Sequence, residues 1–434
     1  MSVKPLTPAQ LGRRIRTARL KLGLSQEQVA EPVYSAAYIS HVEKGKRRPS
    51  QEALAHISSR LGMTLEQLTS GRDPDEDLRL EVASQRAVGE IHSGRAKQAL
   101  EVLQGVRARA KKVDNVRVLE LVESATGLAL YHLGRVDEAR AAYERAIELA
   151  ADGPAERRTT ALVGKARCLF QSDEPREAVH LLEAHLIELQ RSDPPDPSCL
   201  VETYAALIPG YFETGMIELA KDVAAKGWKL APDVPDMERR ACLCVNRAQL
   251  MLTQGEPRAA LASLALAEDL YRNLGWYRDS VKVALAKSFV LTDQGELEEA
   301  EHLLRDALAG SGSTVSKDDR IRALTRLSLI RRRRGEPEEG LELAKEALKL
   351  AGSRFKDSAA EAERELGLCE VALGYPESAL DHWRRALEMF VKVRDHEEVA
   401  KTARLIGDHL ADLGDPDGAA EAYRRGLASV EELR

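Results

Sequence analysis

The sequence predicts an all-α protein in two parts: a five-helix head at the amino terminus, then an array of about nine helix pairs. Three observations carry that expectation. Ala, Leu, Glu and Arg dominate a chain of 434 residues with only 4% aromatic content, which favours helix throughout, and no stretch shows the alternation of β-branched residues that marks strands. A glycine followed five residues later by a small residue recurs at spacings of 39 to 40 residues between Gly94 and Gly414, with one gap between Gly134 and Gly215, the sign of a structural repeat. Near the start, LSQEQVAEPVYSAAYISHVEKGKRRPS (Leu24 to Ser50) reads as a helix, a tight turn, a second helix and a basic loop.

In the head, Ser25 and Gln28 form a capping box that starts one helix, and Pro32 stops it because proline cannot donate to the helix ladder. Ser35 caps the next. On that second helix Ile39 and Val42 share one face, while Ala36, Ala37, Tyr38, Ser40 and His41 face outward, where the base edges of a DNA major groove would be met. Charge agrees with a polyanionic partner. Residues 1–71 hold 11 Lys and Arg against 5 Asp and Glu, a net of +6, although the chain as a whole is −6, so the remaining 363 residues carry −12. A basic head on an acidic body makes double-stranded DNA a partner of the head alone.

These residues resemble the Xre-type, phage-repressor-like helix-turn-helix family across residues 7–70. LGRRIRTARLKLGLSQEQVA matches the family opening, ISHVEKGKRRPS its recognition helix and loop, and EALAHISSRLGMTLEQL its closing helices; the turn EPVYSAA is one residue shorter than the common form and lacks its glycine. The resemblance implies a DNA-binding domain over residues 1–71 in which Gln26, Lys44, Lys46, Arg47 and Arg48 hold phosphates and supply most of the affinity. Ala36, Ala37, Tyr38, Ser40 and His41 would supply sequence preference, the alanines through thymine methyl groups.

Residues 72–79, within GRDPDEDLR, break the apolar pattern and are read as a linker, with the repeats filling 80–434. The markers are Gly94, Gly134, Gly215, Gly255, Gly295, Gly335, Gly374 and Gly414, with a degenerate copy at Asp173 where SDEPREA replaces the glycine and Ala178 keeps the small position. Seven residues before most markers stands another small residue: Ala87, Gly127, Ala166, Ala248, Ser288, Ser328, Gly367 or Gly407. The reading is a helix A ending at the glycine, a short turn, and a helix B that packs closely against it. The fourth copy has Ile208 and Pro209 instead, and a mid-helix proline predicts a kink. The spacing resembles the tetratricopeptide repeat from about residue 78 to 433, with a 40-residue period in place of the usual 34 and aromatic positions kept at Tyr131, Tyr143, Tyr211 and Tyr423.

Such repeats wrap a groove lined by helix A. Counting back from the markers places Tyr211, Asn246, Gln249, Lys282, Arg322 and Arg326 there as effector contacts, along with Glu202, Phe212 and Arg333. Asn246 and Gln249 suit a peptide backbone, and the cations suit a carboxylate or phosphate. An Xre-type head on such repeats is similar to bacterial peptide-responsive quorum-sensing regulators and to actinobacterial-type regulators. The similarity implies a cytoplasmic homodimer that binds a peptide or small-molecule effector and thereby sets the separation of two heads, which engage half-sites roughly 34 Å apart. The alternative is a DNA-tethered adaptor whose repeats bind a protein.

Other classes are disfavoured. Five scattered cysteines, no signal peptide and no long apolar run suggest a reducing cytoplasm and no membrane partner. Cys242 and Cys244 lack a histidine partner and are expected to be core residues, so no metal or cofactor is expected. HEEVA at 396 lacks the second histidine of a zinc helix, and neither a phosphate loop nor a nucleophile elbow is present, SGSTVS at 311 reading as a connection. The chain is therefore not expected to be an enzyme.

Overall fold

The computed structural model describes residues 6–69, 74–310, 315–352 and 355–431, among which all regular structure is helical and no strand occurs. The loop SGSTVS lies largely outside the described residues. Five helices form the head: α1 (Pro8–Lys21), α2 (Gln26–Ala30), α3 (Ala36–Glu43), α4 (Gln51–Arg60) and α5 (Leu65–Thr69). Local chemistry starts the first four. Thr7, Ser25, Ser35 and Ser50 each accept a backbone N–H of the helix they open, and Thr7 with Gln10 and Ser25 with Gln28 complete capping boxes. The core is Leu11, Ile15, Val29, Ile39, Val42, Ile57, Leu61 and Leu68. Gly12 lets α1 and α3 meet, because a Cβ there would lie 2.3 Å from the Val42 carbonyl oxygen.

Nine helix pairs follow: α6 (Pro74–His92) and α7 (Ala96–Lys112); α8 (Val116–His132) and α9 (Val136–Leu149); α10 (Thr159–Gln171) and α11 (Pro175–Gln190); α12 (Pro197–Glu213) and α13 (Ile217–Leu230); α14 (Met237–Thr253) and α15 (Pro257–Asn273); α16 (Tyr277–Gln294) and α17 (Leu297–Gly310); α18 (Lys317–Arg333) and α19 (Pro337–Ala351); α20 (Lys356–Ala372) and α21 (Pro376–Val393); α22 (His396–Asp412) and α23 (Pro416–Glu431). The chain divides into two compact units, one of residues 1–91 and 95–195, the other of residues 92–94 and 196–434. The linker reading is corrected in part. Residues 74–79 belong to α6, where Asp75, Glu76 and Asp77 occupy the first turn and complement the helix dipole; acidic residues that break an apolar pattern can equally begin a helix.

Each marker closes helix A. After α8, Gly134 takes a left-handed φ of 73°, and Arg135 N–H donates to the Leu130 carbonyl at 3.0 Å, satisfying an orphan acceptor of the last turn. Asp173 does the same without being glycine, at φ 62°, with Glu174 N–H donating to Leu169 O at 2.9 Å. The degenerate copy therefore keeps the backbone of the others.

Helices A and B are matched by volume. Where the position seven before the marker is glycine, the position nine after it is aromatic: Gly127 with Tyr143, Gly367 with Trp383, Gly407 with Tyr423. A Cβ on these glycines would sit 2.7, 2.4 and 2.4 Å from the facing ring. Where it is Ala or Ser, the facing position holds a buried aliphatic residue, Leu103, Leu182, Leu264, Leu304 or Ala344. The fourth pair inverts the sizes, with Ile208 on helix A and Ala224 on helix B, both buried. Close packing keeps the sum nearly constant while either term varies, except in the seventh pair, where Ser328 and Ala344 are both small.

Pro209 does not end α12, which runs on to Glu213. Its missing N–H leaves the Ala205 carbonyl without its ladder partner, and Asn246 Nδ2 of α14 donates to that carbonyl at 2.7 Å. Of the cysteines, Cys168, Cys199, Cys244 and Cys369 are buried and Cys242 is half-buried. Burial pushes the thiols of Cys168, Cys244 and Cys369 up to about 11, which keeps them as small core groups.

Candidate nucleic-acid interface and effector face

The second helix of the head is held by a buried polar network. Arg19 on α1 donates to Glu43 on α3 through Nε at 2.6 Å and a terminal nitrogen at 3.1 Å, and to the Leu24 carbonyl at 2.8 Å. Hydrogen bonding to Glu43 raises the Arg19 pKa further. Gln26 Nε2 on α2 completes the cluster, donating to Glu43 at 2.8 Å. That amide thus already has a partner inside the domain, which leaves it one N–H for a phosphate. Arg19 and Glu43 were not anticipated from sequence; the available signal was an acid four residues after Ile39 on the buried face of the helix.

This network fixes one face of α3 inward and leaves the opposite face to solvent. Ala37 and His41 are exposed, and Ala36, Tyr38 and Ser40 are half-buried. The following loop carries Lys44, Lys46, Arg47 and Arg48, all exposed, and none has an ion-pair partner among the described residues. Gly45 turns this loop with φ 69°, its Cα packed so near α1 that a Cβ would lie 2.7 Å from Ala9 Cα. Four unpaired cations beside an exposed helix face form a surface suited to a polyanion.

On the repeats, the residues expected to contact an effector separate into two groups. Tyr211 is only 4% exposed, and Asn246 is occupied by the Ala205 carbonyl; both serve the packing of the fourth and fifth pairs, and neither is presented as a contact. Gln249, Lys282 and Arg322 are exposed. Lys282 has Asp279 at 3.5 Å and Arg322 has Asp318 at 3.8 Å, single partners on their own helices. Arg326 differs from these. Its guanidinium lies over the Phe289 ring, 3.6 Å from the centroid, and makes no hydrogen bond or ion pair among the described residues. Burial lowers its pKa, against the pull of Asp293, Glu361 and Glu365. Phe289, 53% exposed, was missed in the sequence although it occupies the register of Gln249, six residues before the marker.

Arg333, expected inward, instead donates to the Thr292 carbonyl at 3.0 Å, and its neighbours are committed elsewhere. Arg331 pairs with Glu301 and Glu336, Arg334 with Glu301 at 2.8 Å, and Arg332 with Glu365 at 2.7 Å. The basic run thus ties adjacent repeats together. No group of side chains able to hold a metal occurs among the described residues, and no helix there is long and apolar enough to cross a membrane.

The helix-turn-helix domain family matches residues 10–70, and tetratricopeptide repeat families match residues 124–152, 287–319 and 358–432. Among solved structures, a Rap protein complexed with Competence and Sporulation Factor is 14% identical, with 82% of this chain and 98% of that one covered and a TM-score of 0.57. The apo form of RapI is 13% identical over 82% and 98%, TM-score 0.56. A STAND signal-transduction ATPase with a tetratricopeptide repeat sensor from Pyrococcus horikoshii is 13% identical over 99% of this chain and 74% of its own, TM-score 0.57. At such identities the likeness is one of fold. Comparison with curated proteins gave no match. The chain is a helix-turn-helix domain followed by tetratricopeptide repeats.

Proposed function

We propose that this joining of a helix-turn-helix head to tetratricopeptide repeats makes a sequence-specific DNA-binding transcriptional regulator that acts in the cytoplasm, its repeats receiving a peptide or small-molecule effector with an anionic group. The observation that carries the DNA half is the set of unpaired cations Lys44, Lys46, Arg47 and Arg48 beside the exposed face of α3. In this reading the loop holds phosphates, Gln26 adds its remaining N–H, and Ala36, Ala37, Ser40 and His41 meet base edges. The effector half rests on Arg326, a desolvated guanidinium with open donors lying on an exposed ring. Lys282, Arg322 and Gln249 are the other contacts offered. The Rap protein of like fold, complexed with Competence and Sporulation Factor, supports a signal-receiving role. In a homodimer, effector binding would reset the separation of two heads.

A second reading, a DNA-tethered adaptor, is favoured by one feature. Leu78, Val82 and Val102 of α6 and α7 are exposed, Leu78 at 60%, around one recess, an apolar patch of the kind protein partners cover.

Selection of duplexes bound by the purified chain, followed by titration of the best fragment with and without culture extract, tests the regulator. A preferred site whose affinity shifts with extract is expected. The Lys46→Ala, Arg47→Ala variant should weaken binding to all duplexes and lower the salt slope by about two per head, and Arg326→Glu should abolish the extract response while the chain stays folded. An unchanged slope refutes the phosphate role, a full response in Arg326→Glu moves the effector site, and binding without preference or response favours the adaptor.

A further inference from the structure

Tyr38 stands in the third position of α3, outward by register, yet its ring is turned along the protein surface. It stacks on Tyr34 with centroids 4.9 Å apart and planes 17° from parallel, and Tyr34 is braced edge-on by His56 at 5.3 Å, whose Nε2 lies 3.0 Å from the Ala30 carbonyl oxygen. The same Tyr38 ring lies under the guanidinium of Arg47, 5.0 Å from its centroid. Tyr38 and Tyr34 both pack against the head's hydrophobic core, so this aromatic support is anchored. Arg47 is not anchored otherwise: it is exposed and has no ion pair among the described residues. An aromatic ladder fixed in the core therefore ends in one cation of the basic loop.

We infer that Tyr38 is a positioning residue for DNA binding: it holds the Arg47 guanidinium in place for a phosphate and does not read a base. This rests on the reading of the head as a DNA-binding domain. Three considerations carry it. A ring engaged with Tyr34 and Arg47 cannot also extend toward a base edge without giving up both contacts. A guanidinium stacks flat on a ring and still offers its in-plane N–H groups outward, so the contact orients Arg47 without occupying its donors. Restricting a long side chain before binding removes part of the ordering cost otherwise incurred on the complex. The recognition helix and the loop that follows it are thereby coupled, with specificity left to Ala36, Ala37, Ser40 and His41.

The test uses the full chain, the best duplex from selection and a scrambled duplex of the same composition, with affinity followed by fluorescence anisotropy. Tyr38→Phe retains the ring and should bind as wild type. Tyr38→Leu should weaken binding to both duplexes alike, by about three- to tenfold, leave the preferred sequence unchanged, and have no further effect once Arg47 is alanine. Arg47→Lys keeps the charge, loses the flat stacking group and is compatible with folding at an exposed site; it should lose most of the same factor. The inference is overturned if Tyr38→Leu alters which sequence is selected, if its cost persists in the Arg47→Ala background, or if Arg47→Lys binds as wild type. A wild-type chain that binds neither duplex overturns the DNA-binding reading itself, and this inference with it.

Discussion

The head and the repeat array are built from the same cations and place them differently. In the head, Arg19 is buried against Glu43, while the loop cations Lys44, Lys46, Arg47 and Arg48 have no carboxylate within reach among the described residues. In the array, buried carboxylates collect arginines from neighbouring helices: Arg107 and Arg145 on Glu123, Arg157 on Glu120, Arg331 and Arg334 on Glu301, Arg385 on Glu363. Part of this is periodic. Glu123 and Glu363 stand eleven residues before their markers, and Arg145 and Arg385 eleven after, so the turn that joins helix A to helix B also pairs the charges. The contrast teaches that the charge of a segment says little about what it binds. What matters is whether the fold supplies a directly paired counter-ion; among the described residues Arg247 and Arg326 of the array lie instead on the rings of Trp228 and Phe289, with no ion pair.

The largest expected effect separates a network with no redundancy from one that has it. Glu43→Ala leaves Arg19 buried without its carboxylate and should cost the head about 3 to 5 kcal/mol, read as lost hydrogen-exchange protection of the α3 amides. Glu301→Ala should cost clearly less, because Arg331 keeps Glu336 and Glu339 and Arg334 keeps Glu298. Equal costs would break the comparison.

Next comes a buried group that the array keeps neutral. His185 is 2% exposed, its Nε2 lies 2.9 Å from Thr159 Oγ1, and burial holds its pKa down to about 4. Since the folded value lies below the ordinary one of about 6.5, the unfolded chain takes up the proton first. The stabilisation is fully present above about pH 6.5 and is lost as the pH falls toward 4, by at most about 3 kcal/mol. Denaturation of the first unit across that window should show the slope, and His185→Gln should flatten it.

A smaller effect tests how the irregular fourth pair is repaired. Asn246→Ala should cost about 1 to 3 kcal/mol by leaving the Ala205 carbonyl unsatisfied. Restoring the N–H with Pro209→Ala should remove most of that cost in a double-mutant cycle; additive effects would show that Asn246 matters for another reason. Smallest is the turn. Asp173→Gly should raise thermal stability by about 0.5 to 1 kcal/mol, because a left-handed backbone is strained for aspartate, and no gain would mean that the aspartate side chain compensates.

Most of the architecture was legible beforehand because its causes are local. Caps at Ser25 and Ser35, the stop at Pro32, the left-handed markers and the small positions facing larger ones all act within one helix pair, and a 40-residue period repeats the last two. The linker was misjudged where one acidic stretch serves two local purposes, a break in apolar pattern and a helix first turn.

By itself, then, the amino-acid sequence determined the helices, the nine pairs, the head and its exposed basic loop, since each follows from residues within a few turns of one another. Only the tertiary structure decided which polar side chains are left over. Gln26 met Glu43, Asn246 met a carbonyl freed by a proline 37 residues away, Tyr38 met Arg47, and the Arg331 to Arg334 run met Glu301, Glu336 and Glu365. A buried donor or acceptor must find a partner wherever the fold brings one, and that partner is set by distance in space, which spacing along the chain does not encode.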